Sequence, residues 1–453
     1  MKKIVLGLSI CSNLVWAQTT TQKLDNAVKN VLSSGAASAA NLSVYVSDGE
    51  GKLIYEYQSE KGLSTASTQK IFTAAAALET LGTNYQYTTT VSYAGTVDQG
   101  KLIGDLLLHS NGDPTLGSWR YEGYKPENFK KQLVEALKKN GINTIQGNLI
   151  VDDSFFDFQT TPGGWPWNDM GNYYGAGIWG VNWRENQFDL EMNGSKIIKT
   201  NIDLPNVNWV SEVKASGNSD QSLIFTAPHS GVAYINGKLP GGKTMTVSGA
   251  TPNPPLTLGT EIAAELVKNG ISFSGTVQTF SQNLIQGKPT QIQKKASTLL
   301  EYKSPTLDKI VYWFMRKSIN LYGETLVKTM AKQEKGEGSF SLGMDYLKSF
   351  WKSKGINANA INFADGSGLS PQNYVSAKAE VQALNYAKKQ SWFPSFYEGF
   401  PTQGNGMKMK SGTMKDTKSF AGYYKNYTFA IIINNYQGGA ISDALYQVLN
   451  TLK

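Results

Sequence analysis

The 453-residue chain contains one cysteine and two histidines. The cysteine, Cys11, stands inside the first 17 residues, which read as a cleaved leader. A mature chain without cysteine has no disulfide and no thiolate metal site. His109 and His229 are the only imidazoles, so a histidine-based triad has few candidates. There is no HExxH pattern and no P-loop, so no metal or nucleotide cofactor is expected. No apolar run beyond the leader reaches the length that crosses a bilayer. Long Lys/Arg runs are missing too, so the formal charge of +8 does not point to nucleic acid. That charge suits simple solubility or an anionic wall or membrane surface.

What is present is a globular composition, 40% hydrophobic and 17% charged, with room for two or three domains. The leader, "MKKIVLGLSICSNLVWAQ", has basic Lys2 and Lys3, an apolar core, and Ala17 before a cleavage point at Gln18. "LSIC" lacks the small residue expected before a lipid-modified cysteine. The product is expected to be exported, and periplasmic or cell-surface associated.

Both ends of the mature chain mix strands and helices. "TQKLDNAVKNVLSSG" reads as a helix, and Asn41 to Gln58 as a hairpin around "DGEG". "STQKIFTAAAALETLG" reads as a helix closing at Gly82. Near the other end, "KMKSGTMKDTKSFAGYYKNYTFAIIINNYQ" gives strands and "AISDALYQVLNTLK" a final amphipathic helix. The two ends therefore fit one sheet covered by terminal helices. Between about Val91 and Ser297 the runs are shorter and broken by Gly, Asn and Pro, around a knot "TPGGWPWNDMGNYYGAGIWGVNW". This middle reads as an inserted β-rich region in two nested pieces.

The chemistry begins at Ser67 and Lys70. Serine is a weak nucleophile until a base takes its proton. Lysine becomes that base when burial or nearby positive charge lowers its pKa. Residues three apart share a helix face, and the helix start favours developing negative charge. Ala74 to Ala77 follow, small enough for the helix to sit deep and desolvate the lysine. A second Ser-x-x-Lys, Ser349 to Lys352, has nothing catalytic around it and reads as a solvated face. Two more motifs follow in order. Ser318-Ile319-Asn320 opens a helix, and Lys410-Ser411-Gly412-Thr413 opens a strand hairpin. A hydroxyl and an amide suit proton relay and substrate orientation. A lysine beside a hydroxyl and a glycine suits a terminal carboxylate. The ordered set SxxK, SxN, K(S/T)G is the signature of penicillin-binding proteins and class A β-lactamases.

The chain thus resembles the penicillin-interacting serine enzymes. Within them it is similar to the three-domain D-alanyl-D-alanine carboxypeptidase/endopeptidase family, the low-molecular-mass class C penicillin-binding proteins. About 250 residues separate Ser67 from Ser318, a gap that family fills with extra domains. Its familiar stretches stand here as "LLLHSNGDPTL", "NLIVDDSFF", "GGWPWNDM" and "FADGSGLSPQNYVSA". The resemblance implies an α+β fold: a β-lactamase/transpeptidase-like antiparallel sheet flanked by helices, with two nested β-rich inserted domains. The expected division is a leader at 1–17, a catalytic domain from 18–92 and 298–453, a second domain from 93–165 and 247–297, and a third at 166–246.

The resemblance also implies roles. Ser67 attacks the penultimate D-alanine carbonyl and Lys70 takes its proton. Ser318 passes a proton to the leaving amine, and Asn320 positions Lys70 and the substrate amide. Lys410, Ser411 and Thr413 receive the carboxylate of substrate or penicillin, with Gly412 giving backbone access. The N–H groups of Ser67 and Thr413 form the oxyanion hole, and Lys410 lowers Lys70 by repulsion. Asp152 and Phe156 match positions near the stem-peptide side chain. Asp152 reads equally as a turn carboxylate, Phe156 equally as core, and Asp153 is the alternative carboxylate. Ser411 replaces the commoner threonine, Gly323 stands where alanine is usual, and Pro371 replaces a frequent basic residue.

The expected partners are peptidoglycan stem peptides and β-lactams, without nucleic acid. Rival functions are a serine β-lactamase or esterase, a non-catalytic wall-binding protein, and a Ser-His-Asp hydrolase. The last rests on two histidines in the insert. Replacing His109 or His229 by Ala is therefore expected to leave the acylation rate intact, and a large loss in either variant refutes a Ser-Lys mechanism.

Overall fold

The computed structural model describes residues 18–288 and 296–453; the expected leader lies outside the described residues. The ends of the chain meet in a five-stranded antiparallel sheet. Its order is Lys408–Met414, Thr417–Tyr424, Tyr427–Asn434, Asn41–Ser47, Leu53–Tyr57. Side chains alternate between its faces. Along the central strand, Phe429, Ile431 and Ile433 join a core with Leu24 and Val28 from the Thr20–Leu32 helix and Leu445 and Val448 from the Ile441–Asn450 helix. Ala430 and Ile432 face the other way, into the main helical core. The sequence expectation of one shared sheet under terminal helices agrees with this arrangement.

The Lys70–Leu81 helix runs through that main core. Every residue from Lys70 to Leu78 is buried, so the four alanines meet neighbours on all sides rather than one amphipathic face. Phe72 packs its ring against Trp351 and Phe363. The helix closes at Gly82, whose φ of 84° suits glycine. Ser67 lies just outside the α-helix proper, in a 3-10 turn spanning Ala66–Gln69. Beside it runs the Asn320–Lys335 helix, buried without a break from Asn320 to Ala331.

The middle of the chain builds separate sheets. A seven-stranded mixed sheet includes the Thr88–Asp98/Lys101–Ser110 hairpin and Ser297–Lys303, and the Pro126–Lys139 and Pro254–Lys268 helices share a core with it. Two three-stranded sheets span residues 187–250 and enclose their own small core around Phe188, Leu190, Ile224 and Ile235. The expected edges at 92/93 and 297/298 fall inside paired strands, with Lys303 opposite Thr88. Strand pairing leaves no composition break at those points, so the sequence offers nothing there to mark the edge. Among the described residues, no helix is long and apolar enough to cross a membrane.

Gly323, where the resembled family usually carries alanine, has a packing reason. A Cβ there would sit 2.8 Å from the Phe314 ring and 3.0 Å from the Gly366 carbonyl oxygen. Alanine would favour the helix by about 1 kcal/mol. Overpacking typically costs about 1–3 kcal/mol. Gly323→Ala is expected to lower stability on balance, read as a lower urea midpoint; a raised midpoint would show that Phe314 yields freely.

Candidate active site

The tertiary fold brings the three motifs to one cleft. Its cavity is about 950 Å³ and is lined by Ser67, Ser318, Asn320 and Thr413, among others. The turn that carries Ser67 is tense: Ala66, just before it, has a φ of 48°, a left-handed value that alanine rarely adopts. Ser419 Oγ and Thr68 Oγ1 bond across it, tying the turn to the sheet. Gly412 is needed at this contact. A Cβ there would run into the Thr65 carbonyl and lie 3.0 Å from the Ser67 nitrogen. Glycine thus lets the Lys408–Met414 strand lie against the turn.

Lys70 is wholly buried. Its Nζ is 3.0 Å from Ser67 Oγ, 2.6 Å from Asn320 Oδ1 and 2.7 Å from the Ser367 carbonyl oxygen. Burial pushes its pKa down to about 7, against the attraction of Asp365 and Glu324. A neutral amine has two hydrogens and one lone pair. The two carbonyl oxygens can only accept, so they take the hydrogens. The lone pair then faces the Ser67 hydroxyl, the geometry of a general base.

Ser318 ends the Leu307–Lys317 helix in the left-handed region, φ 59°. Its Oγ accepts from Lys410 Nζ at 3.0 Å, and Lys410 also donates to the Ser411 carbonyl at 2.8 Å. Lys410 is held well below its ordinary pKa by burial, then by repulsion from Lys70 and Lys418. The expected repulsion therefore acts on Lys410, whereas the lowering of Lys70 comes from burial.

Some contributors had no sequence signal. Asn320 Nδ2 donates to the Tyr174 carbonyl at 2.8 Å, so a backbone group of the insert fixes the amide. Lys418 donates to Thr413 Oγ1 at 2.8 Å because the hairpin register sets the two opposite each other. Glu185 is buried in the cleft wall and accepts from Tyr322, Arg120 and Ser118.

Asp152 and Phe156 are not brought to this cleft. Asp152 is 3.0 Å from His109 Nδ1; burial would raise its pKa, but the His109 and Ser154 bonds keep it low. Asp153 accepts from the Ser281 N–H at the start of the Phe280–Ile285 helix. Phe156 is buried in the core, under Gly112 and Gly338. The "VDDSFF" segment continues a strand of the seven-stranded sheet and serves that junction. Three carboxylates line the cleft, Asp169, Glu185 and Asp416, and Asp169 comes with Tyr173 and Tyr174 from the knot "WPWNDMGNYY". Tyr174 Oη donates to Asp169 at 3.3 Å. His229 is packed between Phe158 and Trp179, also away from the cleft. Among the described residues, no cluster of three or more His, Cys, Asp or Glu is arranged to hold a metal.

A Cβ on Gly175 would run into the Asp169 backbone, so Gly175→Ala must move the turn that presents the Tyr174 carbonyl. Acylation by benzylpenicillin is expected to slow by about tenfold or more, with the far-UV spectrum unchanged. An unaltered rate would show that the Tyr174 carbonyl does not hold Asn320.

Known proteins resemble this chain in sequence and fold. The curated relatives include D-alanyl-D-alanine carboxypeptidase DacB of Haemophilus influenzae, 28% identical over 422 residues, covering 86% of this chain and 84% of the relative. They also include the D-alanyl-D-alanine carboxypeptidase of Actinomadura sp. strain R39, 25% identical over 465 residues, covering 94% and 83%. The crystal structure of penicillin binding protein 4 (dacB) from Haemophilus influenzae superposes with a TM-score of 0.78 at 26% identity, covering 95% of this chain and 98% of that one. The profile of the D-Ala-D-Ala carboxypeptidase 3 (S13) family matches residues 24–451, nearly the whole chain, and the chain belongs to that family.

Proposed function

We propose that this chain is an exported serine D,D-peptidase that cleaves D-Ala-D-Ala termini or D-Ala cross-links of peptidoglycan through a Ser67 acyl-enzyme. The observation that carries the reading is the buried Lys70 Nζ, 3.0 Å from Ser67 Oγ. Ser67 attacks the carbonyl of the penultimate D-alanine, and its proton passes to Lys70. The oxyanion forms beside the N–H groups of Ser67 and Thr413. Ser318, bonded to Lys410, delivers a proton to the departing amine. Lys410, Ser411 and Thr413 receive the substrate's carboxylate, with Lys418 donating to Thr413 Oγ1. Water then releases the acyl group. Removing a terminal D-alanine and cutting a cross-link share these steps.

Asp169 is the acidic group proposed to meet the stem-peptide side chain, in place of Asp152 and Phe156. We also infer a catalytic portion made of the chain ends, with the seven-stranded sheet and the 187–250 sheets as the nested insertions. Their edges then sit at the ends of the Thr88–Asp98 and Ser297–Lys303 strands. The leader supports export to the periplasm or cell surface.

The test is intact-protein mass spectrometry after incubation with benzylpenicillin, on wild type and Ser67→Ala. The expected result is a mass gain of one penicillin in the wild type and none in the variant. No adduct in either, with the penicillin intact, would refute the catalytic reading in favour of a wall-binding protein. Fast Ser67-dependent loss of penicillin without an adduct would identify a β-lactamase.

A further inference from the structure

Two hydroxyl groups that line the cleft are each held by a lysine. Ser318 Oγ accepts from Lys410 Nζ at 3.0 Å, and Thr413 Oγ1 accepts from Lys418 Nζ at 2.8 Å. Lys410 belongs to the K(S/T)G motif. Lys418 belongs to no motif, and the chemistry above gives it only this one bond. An ammonium group has hydrogens and no lone pair, so Lys418 donates and Thr413 Oγ1 accepts. The threonine then keeps its own hydrogen for a further partner.

The hairpin fixes the pair. Lys408–Met414 is the outermost strand of the five-stranded sheet, and Lys418 on the next strand stands opposite Thr413 in register. Opposed residues of antiparallel strands project from the same face. Phe420, two residues on from Lys418, shares that face, and its ring centroid is 5.1 Å from Lys418 Nζ. The ammonium is thus held by a hydroxyl and a ring.

Among the described residues, no carboxylate pairs with Lys410 or with Lys418. Asp416, in the turn between the two strands, lines the cleft without pairing with Lys418. Lys410 and Lys418 instead repel each other. A carboxylate bound beside Thr413 would supply the negative charge that both lack. Lys410 is 2% exposed, whereas Lys418 is only half-buried and keeps its charge at a smaller cost in desolvation.

We propose that Lys418 is a positioning residue for the substrate's carboxylate: its ammonium commits the Thr413 hydroxyl to donate to that carboxylate and strengthens the bond. The proposal rests on the Ser67 acyl-enzyme reading and adds to it a residue outside the three motifs. Hydrogen bonds in series polarise one another, and a charged donor at the head of the series increases the effect. The consequence is selectivity for acyl donors that carry a free carboxylate.

The experiment compares the second-order acylation rates of benzylpenicillin and benzylpenicillin methyl ester, read by intact-protein mass. The proteins are wild type, Lys418→Met and Lys418→Arg. The penicillin-to-ester rate ratio is expected to fall about tenfold or more in Lys418→Met and to recover largely in Lys418→Arg, which keeps a charged donor. Equal slowing of both compounds overturns the proposal and leaves Lys418 a brace of the hairpin; unchanged rates overturn it too. If Lys418→Met does not fold, Lys418→Gln takes its place with the same expected fall. A second reading needs penicillin alone. In a Thr413→Val background, Lys418→Met is expected to slow acylation by less than about twofold, because its route to the carboxylate is already gone. A further tenfold loss there overturns the proposal. Wild type that forms no Ser67 adduct defeats the acyl-enzyme reading as well; an adduct with an unmoved ratio defeats the role of Lys418 alone.

Discussion

The contact between Ser67 Oγ and Lys70 Nζ serves as a base only while the amine is uncharged, and the amine stays uncharged only if water is kept from it. Much of the core meets that requirement. The alanine run lets neighbouring elements close around the helix that carries Lys70. The Asn320–Lys335 helix closes the second side, and Gly323 lets it approach Phe314 and the Gly366 loop. The hydrogens of the amine go to two fixed carbonyl oxygens rather than to solvent. Desolvation, rather than a neighbouring cation, accounts for the lowering of Lys70.

The inserted region is joined to this machinery at several points. The Tyr174 carbonyl holds the Asn320 amide. Glu185 joins Tyr322 to Arg120 and Ser118. Trp165 Nε1 bonds Asp365, and Ser370 Oγ bonds the Gly164 carbonyl, so the loop behind Lys70 is braced from the insert as well. Glu185 sits in a run of three residues with positive φ, Arg184 to Asn186. Each such residue costs about 1 kcal/mol or more. The bonds of Arg184 to Glu261 and of Asn186 to the Trp183 N–H help hold the run in place. These bonds tie the middle of the chain to the elements that carry Lys70 and Asn320.

Much of the site was legible because side-chain chemistry needs particular residue types at short, fixed spacings. Ser67 with Lys70, Ser318 with Asn320, and Lys410 to Thr413 each sit on one local element, and local spacing survives folding. Other parts were hidden for physical reasons. The carbonyls of Tyr174 and Ser367 are groups that every residue carries, so no residue type marks them. Lys418 reaches Thr413 through hairpin register. Asp152 and Asp169 both lie in stretches resembling the family, and composition does not say which faces the cleft. The strand edges at Thr88 and Lys303 are set by pairing across more than 200 residues of sequence, beyond the reach of any local pattern.

The sequence by itself determined the Ser67–Lys70, Ser318–Asn320 and Lys410–Thr413 motifs and the joining of the chain ends in one sheet, because these follow from residue type, spacing and alternation. Only the tertiary structure decided which acidic groups face the cleft and which are turned to other partners. It gave Asp365 five donors and Glu324 one, turned Asp152 to His109, and set Asp169 in the cleft wall. The charge of a carboxyl group depends on the dipoles and ions that folding gathers around it, and those come from segments far apart in the chain.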